Sequence, residues 1–99
     1  MIHELKILPE YFAEVASGSK TFELRRNDRQ FRVGDVLRLC EYEPECGRYT
    51  GNRVDAVVTS LLPGGRFDLP DHLCVMSIRV IRQPPGPAAP AAIIKPFNQ

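Results

Sequence analysis

No apolar run in this chain approaches the roughly 18 residues that a membrane-spanning helix requires, because charged side chains interrupt every hydrophobic stretch first. The opening residues Met1-Ile2-His3-Glu4-Leu5-Lys6 lack the basic-then-apolar order of a secretory leader, so a cytoplasmic protein is expected. Cysteine is scarce. Cys40, Cys46 and Cys74 cannot all pair within one chain, and so sparse and odd a set suits free thiols in a reducing compartment. An excess of charge of one sign is also missing. With 13 Lys+Arg against 12 Asp+Glu, the net charge of +1 excludes a sequence-independent coat for duplex nucleic acid and leaves room only for a local positive patch.

Conventional catalytic signatures are absent as well. There is no Gly-rich phosphate loop followed by Lys-Ser/Thr, no dinucleotide fingerprint and no Gly-x-Ser-x-Gly elbow. Cys40, Cys46, His72 and Cys74 lack the close Cys-x-x-Cys pairing that offers two thiolates to one tetrahedral ion, so neither a metal nor another cofactor is expected. His72 and Cys74, the nearest thiol and imidazole in the chain, fall on one strand face, where Cys74 reads as a buried apolar residue rather than a nucleophile. His3 shares a face with Leu5 and Ile7, which suits a hydrogen-bonded core histidine or the wall of a pocket.

What is present is one domain's worth of chain: 99 residues, 43% apolar and 25% charged. Ile2 to Ile7 alternates with a period of two and reads as a half-buried strand. Pro9 then opens a short helix carrying Tyr11, Phe12 and Val15 at helical spacing, and Gly18 closes it. From Thr21 the period returns to two, with Phe22 and Leu24 on one side and Thr21, Glu23 and Arg25 on the other. Val33-Gly34-Asp35 turns into a strand from Val36 to Tyr42, and residues 43–51 read as a loop before a strand from Val54 to about Leu62. Pro63-Gly64-Gly65 breaks the pattern ahead of a last strand with Cys74, Met76, Ile78 and Val80 on one face. About five strands with one or two short helices predict a mainly β (α+β), strongly curved small barrel over residues 1–82. Residues 83–99 form a Pro/Ala-rich tail, expected to be flexible, with four prolines between Gln83 and Ala92 and an apolar cluster from Ile93 to Phe97.

Charge is concentrated in one segment. Between Lys20 and Arg32 stand five Lys or Arg and two acidic residues, a local charge of +3 in a chain of +1. Lys20 at the helix-to-strand turn, with Glu23 and Arg25 on one strand face, would gather an ammonium, a carboxylate and a guanidinium around one concave spot. The plain alternative is a solvated strand face whose charges neutralise each other.

Gly18-x-Lys20-x-x-Glu23-x-Arg25 resembles the Gly-x-Lys-x-x-Glu-x-Arg signature of ASCH domains, relatives of the PUA-like barrels that bind RNA. His3-Glu4-Leu5-Lys6-Ile7-Leu8-Pro9, Lys20 to Arg25, Asn27-Asp28-Arg29, Val33-Gly34-Asp35, Tyr49-Thr50-Gly51, Gly64-Gly65 and Val75-Met76-Ser77-Ile78 resemble, in that order, the DUF3850 family within that superfamily. The likeness covers roughly residues 2 to 80 and leaves out the tail. It implies a PUA-like β-barrel with a cleft at the signature and, for the wider superfamily, binding of RNA or modified nucleosides. Some distant ASCH relatives are similar to amidohydrolases that deacetylate N4-acetylcytidine with the signature Lys, a Thr and a later Glu. Here Glu23 stands at the Thr position, and Asp68 and Asp71 fall in a loop where a later acid could lie.

Two mechanisms follow. In a binding module, Arg25, Arg26 and Arg29 would contact phosphates of single-stranded RNA or a nucleotide-like ligand, and Lys20 would add a point charge. Phe67 or Tyr49 would stack on a base, while Glu23 would read a base edge or hold Arg25. In a small hydrolase acting on an acetylated nucleoside or on RNA, Lys20 would be nucleophile or base, Glu23 a proton shuttle and Arg25 an oxyanion partner. A third class, a protein-binding accessory domain, would use the tail as an extended ligand. A monomer is assumed in each case.

Overall fold

Residues 1–84 are described by the computed structural model, so the tail expected over 83–99 lies, from position 85 on, outside the described residues. The elements are β1 (Ile2–Ile7), α1 (Pro9–Ser17), β2 (Phe22–Arg26), β3 (Val36–Glu43), β4 (Arg48–Pro63) and β5 (Leu73–Arg82). The protein is thus mostly β with one short helix. A single sheet of order β1-β3-β4-β5-β2, parallel only between β1 and β3, curls into a half-barrel.

The alternation read in the sequence sets the inner face. His3, Leu5 and Ile7 of β1 are buried, as are Leu37 and Leu39 of β3. Val54, Ala56 and Val58 of β4 and Cys74, Met76 and Ile78 of β5 complete that wall. Because β1 and β2 occupy opposite edges, α1, which joins them, must cross the open side of the curl. It packs there against β3 and β4 and drives Phe12 and Val15 into the core. Each such side chain stabilises the fold by about 1.5–3 kcal/mol through its removal from water. Register shifts in β3 between Cys40 and Tyr42, and between β4 and β5 at Asp55/Ala56 and Val58/Ser60, bend the strands as the curl requires.

One local expectation is corrected. Tyr49-Thr50-Gly51 does not belong to a loop but to the sixteen-residue β4. The hairpin zips further because Tyr42 and Tyr49 meet edge to face at 5.0 Å and Glu41 accepts hydrogen bonds from Thr50 and Asn52. The loop over β1 is also tied down by polar groups. Asp35 accepts from His3 Nε2 at 2.8 Å and from the Arg32 amide at 3.0 Å, and the terminal amine lies 3.4 Å away. His3 is therefore a satisfied core residue, edge-on to the buried Phe31 ring.

Candidate functional site

The signature segment begins at the end of α1. Gly18 takes the left-handed conformation (φ 87°), and its amide bonds Val15 O, while the Glu14 carbonyl accepts the Lys20 amide and the Ser17 and Ser19 hydroxyls. Carbonyls that the helix end would leave orphaned are thereby satisfied, and the chain is handed to Lys20 in a defined direction.

β2 then runs with its polar face inward. Glu23 lies opposite Met76 and Arg25 opposite Cys74, both partners wholly buried, whereas Phe22 and Leu24 are about half exposed at 50% and 53%. The solvated-face alternative is overturned: the Glu23 side chain is only 4% exposed. Its Oε2 accepts from Lys20 Nζ at 2.7 Å and its Oε1 from Arg25 Nε at 2.8 Å. The amine, carboxylate and guanidinium do converge. Burial of a lone carboxylate would be prohibitive, and the two cations with their charge-assisted hydrogen bonds offset it.

Each cation is further anchored to backbone. Lys20 Nζ donates to Phe22 O at 2.7 Å, and Arg25 Nη2 donates to Lys6 O at 2.9 Å. A lysine ammonium has three protons and an arginine guanidinium five, so each keeps donors directed at its surroundings. Those surroundings are a cleft of about 680 Å³ whose walls include Lys6, Leu8, Tyr11, Glu14, Phe22 and Leu24. The Lys20 ammonium stands 4.7 Å from the Phe22 ring centre and 5.7 Å from that of Tyr11, within cation–π range of both.

Arg26 and Arg29 line an adjoining hollow of about 430 Å³, which shares Lys6 and Arg25 with the cleft and has Tyr49 on its wall. Arg29 Nη1 donates to Glu4 O at 2.7 Å. Phe67 is brought to neither hollow. After the Pro63-Gly64-Gly65 turn its backbone adopts φ 53°, and the ring projects from the β4–β5 loop with 87% exposure. Asp68 and Asp71, on that same loop, do not line the cleft either.

The profile of the family described as "Domain of unknown function (DUF3850)" matches residues 2–78. The chain belongs to this family. It is also 40% identical over 60 residues to an uncharacterized 12.9 kDa protein in the GpA 3′ region of Escherichia phage P2. That match takes in 61% of this chain and 53% of the phage protein, so the chain spans about half the length of the relative.

Sequence reasoning missed several walls of this DUF3850 cleft. Tyr11 and Glu14 were legible only as helix residues, though both sit one position out of phase with the buried pair Phe12 and Val15. Phe22 read as the apolar side of a strand, whose inward direction no local pattern reveals. No cysteine lines this cleft; burial pushes the Cys40 and Cys74 thiols up, and His72 is exposed while Cys74 is wholly buried. Among the described residues, no group of three or more His, Cys, Asp or Glu comes together as a metal site. No helix among them is long and apolar enough to cross a membrane.

Proposed function

We propose that the protein is an ASCH-type, PUA-like binding module that takes single-stranded RNA or a nucleotide-like ligand into the cleft at Lys20, Glu23 and Arg25. The observation that carries this reading is the buried Glu23 carboxylate, which holds two cations in a cleft that the Tyr11 and Phe22 rings also line. Rigid cations suit phosphate or carbonyl oxygens, and an aromatic wall suits the face of a base. In this arrangement Glu23 positions Lys20 and Arg25, since each of its oxygens already accepts from one of them. Tyr11 and Phe22 take, in the cleft, the stacking role that sequence alone offered to Phe67 or Tyr49.

The second reading is a small hydrolase, of the N4-acetylcytidine amidohydrolase kind or a ribonuclease. It draws support from Glu14, the other carboxylate lining the cleft, which could activate water. It ranks lower because an attacking Lys20 amine would first have to leave both Glu23 and Phe22 O.

Fluorescence anisotropy with labelled single-stranded RNA over a salt series tests the proposal. Micromolar binding that weakens with salt is expected, and Tyr11→Ala should lower affinity by the roughly 1–3 kcal/mol of one stacked base. Affinity indifferent to salt, to Tyr11→Ala and to Lys20→Ala would overturn it. Turnover of N4-acetylcytidine that disappears in Lys20→Ala would install the hydrolase in its place.

A further inference from the structure

We infer that the natural ligand is a strand of at least two nucleotides lying across both hollows, rather than a free nucleoside confined to the cleft. The inference rests on the binding reading above and goes beyond it by selecting between the two ligand classes. Its starting point is that the cleft and the adjoining hollow are neighbours. Both have Lys6 and Arg25 in their walls, so a ligand longer than one nucleotide has the second hollow beside it.

Two cations of the second hollow are anchored to the backbone of β1. Arg25 is seated on the carbonyl of Lys6 and Arg29 on that of Glu4, two positions back along β1. Residues two apart on a strand are separated by about 7 Å. That is comparable to the distance between neighbouring phosphates in an extended nucleotide strand. Both anchoring oxygens belong to a strand that is itself hydrogen-bonded into the sheet, so the spacing of these anchor points is set by the fold.

Charge along the second hollow favours a polyanion. Four cations, Lys6, Arg25, Arg26 and Arg29, face two carboxylates. Asp28 lies 3.8 Å from Arg29, one of these four, and Glu4 lies 3.9 Å from Arg38, which is not among them, so cations remain in excess. Arg26 has no ion pair or hydrogen bond through its side chain among the described residues. Tyr49, 53% exposed on the same hollow, supplies a ring on which a second base can stack, as Tyr11 and Phe22 do for the first. A nucleoside filling the cleft would use none of Arg26, Arg29 or Tyr49.

The test compares uridine 5′-monophosphate, pentauridylate and a polyglutamate of matched charge on the full chain, in wild type and in Arg26→Ala, Arg29→Ala and Tyr49→Ala variants. Pentauridylate is expected to bind at least about tenfold tighter than the monophosphate at low salt. Arg26→Ala alone should weaken pentauridylate about three- to tenfold and flatten its log–log salt slope by about 0.7, while moving the monophosphate less than about twofold. Arg26 serves as the cleanest probe because its removal breaks no side-chain hydrogen bond or ion pair among the described residues, and circular dichroism of the Arg29→Ala variant checks that the β1 anchor is dispensable for folding. Equal affinity for monophosphate and pentamer, or equal losses for both in Arg26→Ala, would overturn the strand inference while leaving the cleft reading intact. Polyglutamate binding as tight as pentauridylate would also overturn it, since bases would then contribute nothing. Failure of every nucleotide probe to bind would instead remove the proposed function, and this inference with it.

Discussion

Glu23 carries the chemistry of the site although it need not touch a ligand. Taking it out of water is tolerated only because Lys20 and Arg25 bring opposite charge to both of its oxygens at hydrogen-bond distance. Replacement by the isosteric amide keeps the shape but turns one oxygen into a donor aimed at a cation, and leaves two positive groups facing each other. Glu23→Gln should therefore lower stability by about 1–3 kcal/mol, read as a shifted urea midpoint at unchanged slope. An unmoved midpoint would mean that the three groups are not coupled. Of this triad, the membership was legible in Gly18-x-Lys20-x-x-Glu23-x-Arg25, since period-two spacing puts Glu23 and Arg25 on one face whatever the fold. That the face is buried was not legible, because Phe22 and Leu24 offer the more apolar side and local pattern would turn them inward.

At the scale of elements, β2 is where local preference and tertiary structure disagree. Its apolar side faces out because β5 presents Met76 and Cys74 to the other side, and one register step would exchange the two faces. Such conflicts mark places where a site has been preferred over the most stable packing. The β4–β5 connection is a second constrained element. A Cβ at Gly64 would stand 2.6 Å from the Asp71 and Leu73 carbonyl oxygens, backbone that cannot step aside without opening the turn. Gly64→Ala is expected to destabilise by about 1–3 kcal/mol, visible as a lower thermal midpoint. Gly18 is different: nothing lies near its missing Cβ, and only its positive φ resists substitution, so Gly18→Ala should cost about 1 kcal/mol. Reversal of that order would contradict the packing described for the loop.

Over the whole molecule, the half-barrel is held shut at its two edges by side chains rather than by a strand ladder. Arg25 and Arg29 of the β2 side donate to the Lys6 and Glu4 carbonyls of β1, and this seam is also the track proposed for the ligand. At the other end of β1, the hydrogen bond with His3 holds the Asp35 carboxyl below its ordinary range, helped by the Arg32 amide and the terminal amine. A carboxylate with a depressed folded-state pKa stabilises the fold above its unfolded value, and that stability is lost as pH falls through the folded value. The loss is thus expected below about pH 4, and Asp35→Asn should flatten the stability–pH curve there while lowering stability at neutral pH. A variant that keeps the full acid slope would assign the slope to other carboxylates. The sequence by itself determined the period-two strands, the Pro9-to-Gly18 helix, the Asp35 turn and the grouping of Lys20, Glu23 and Arg25, because these follow from backbone periodicity and turn chemistry within a few residues. Which face of β2 lies inside, the extension of β4 to Arg48, and the meeting of Tyr11, Phe22 and Lys6 around Lys20 were decided only by tertiary structure. Those features depend on how distant strands pair and on a helix crossing the open side of the curl, and no local pattern encodes either.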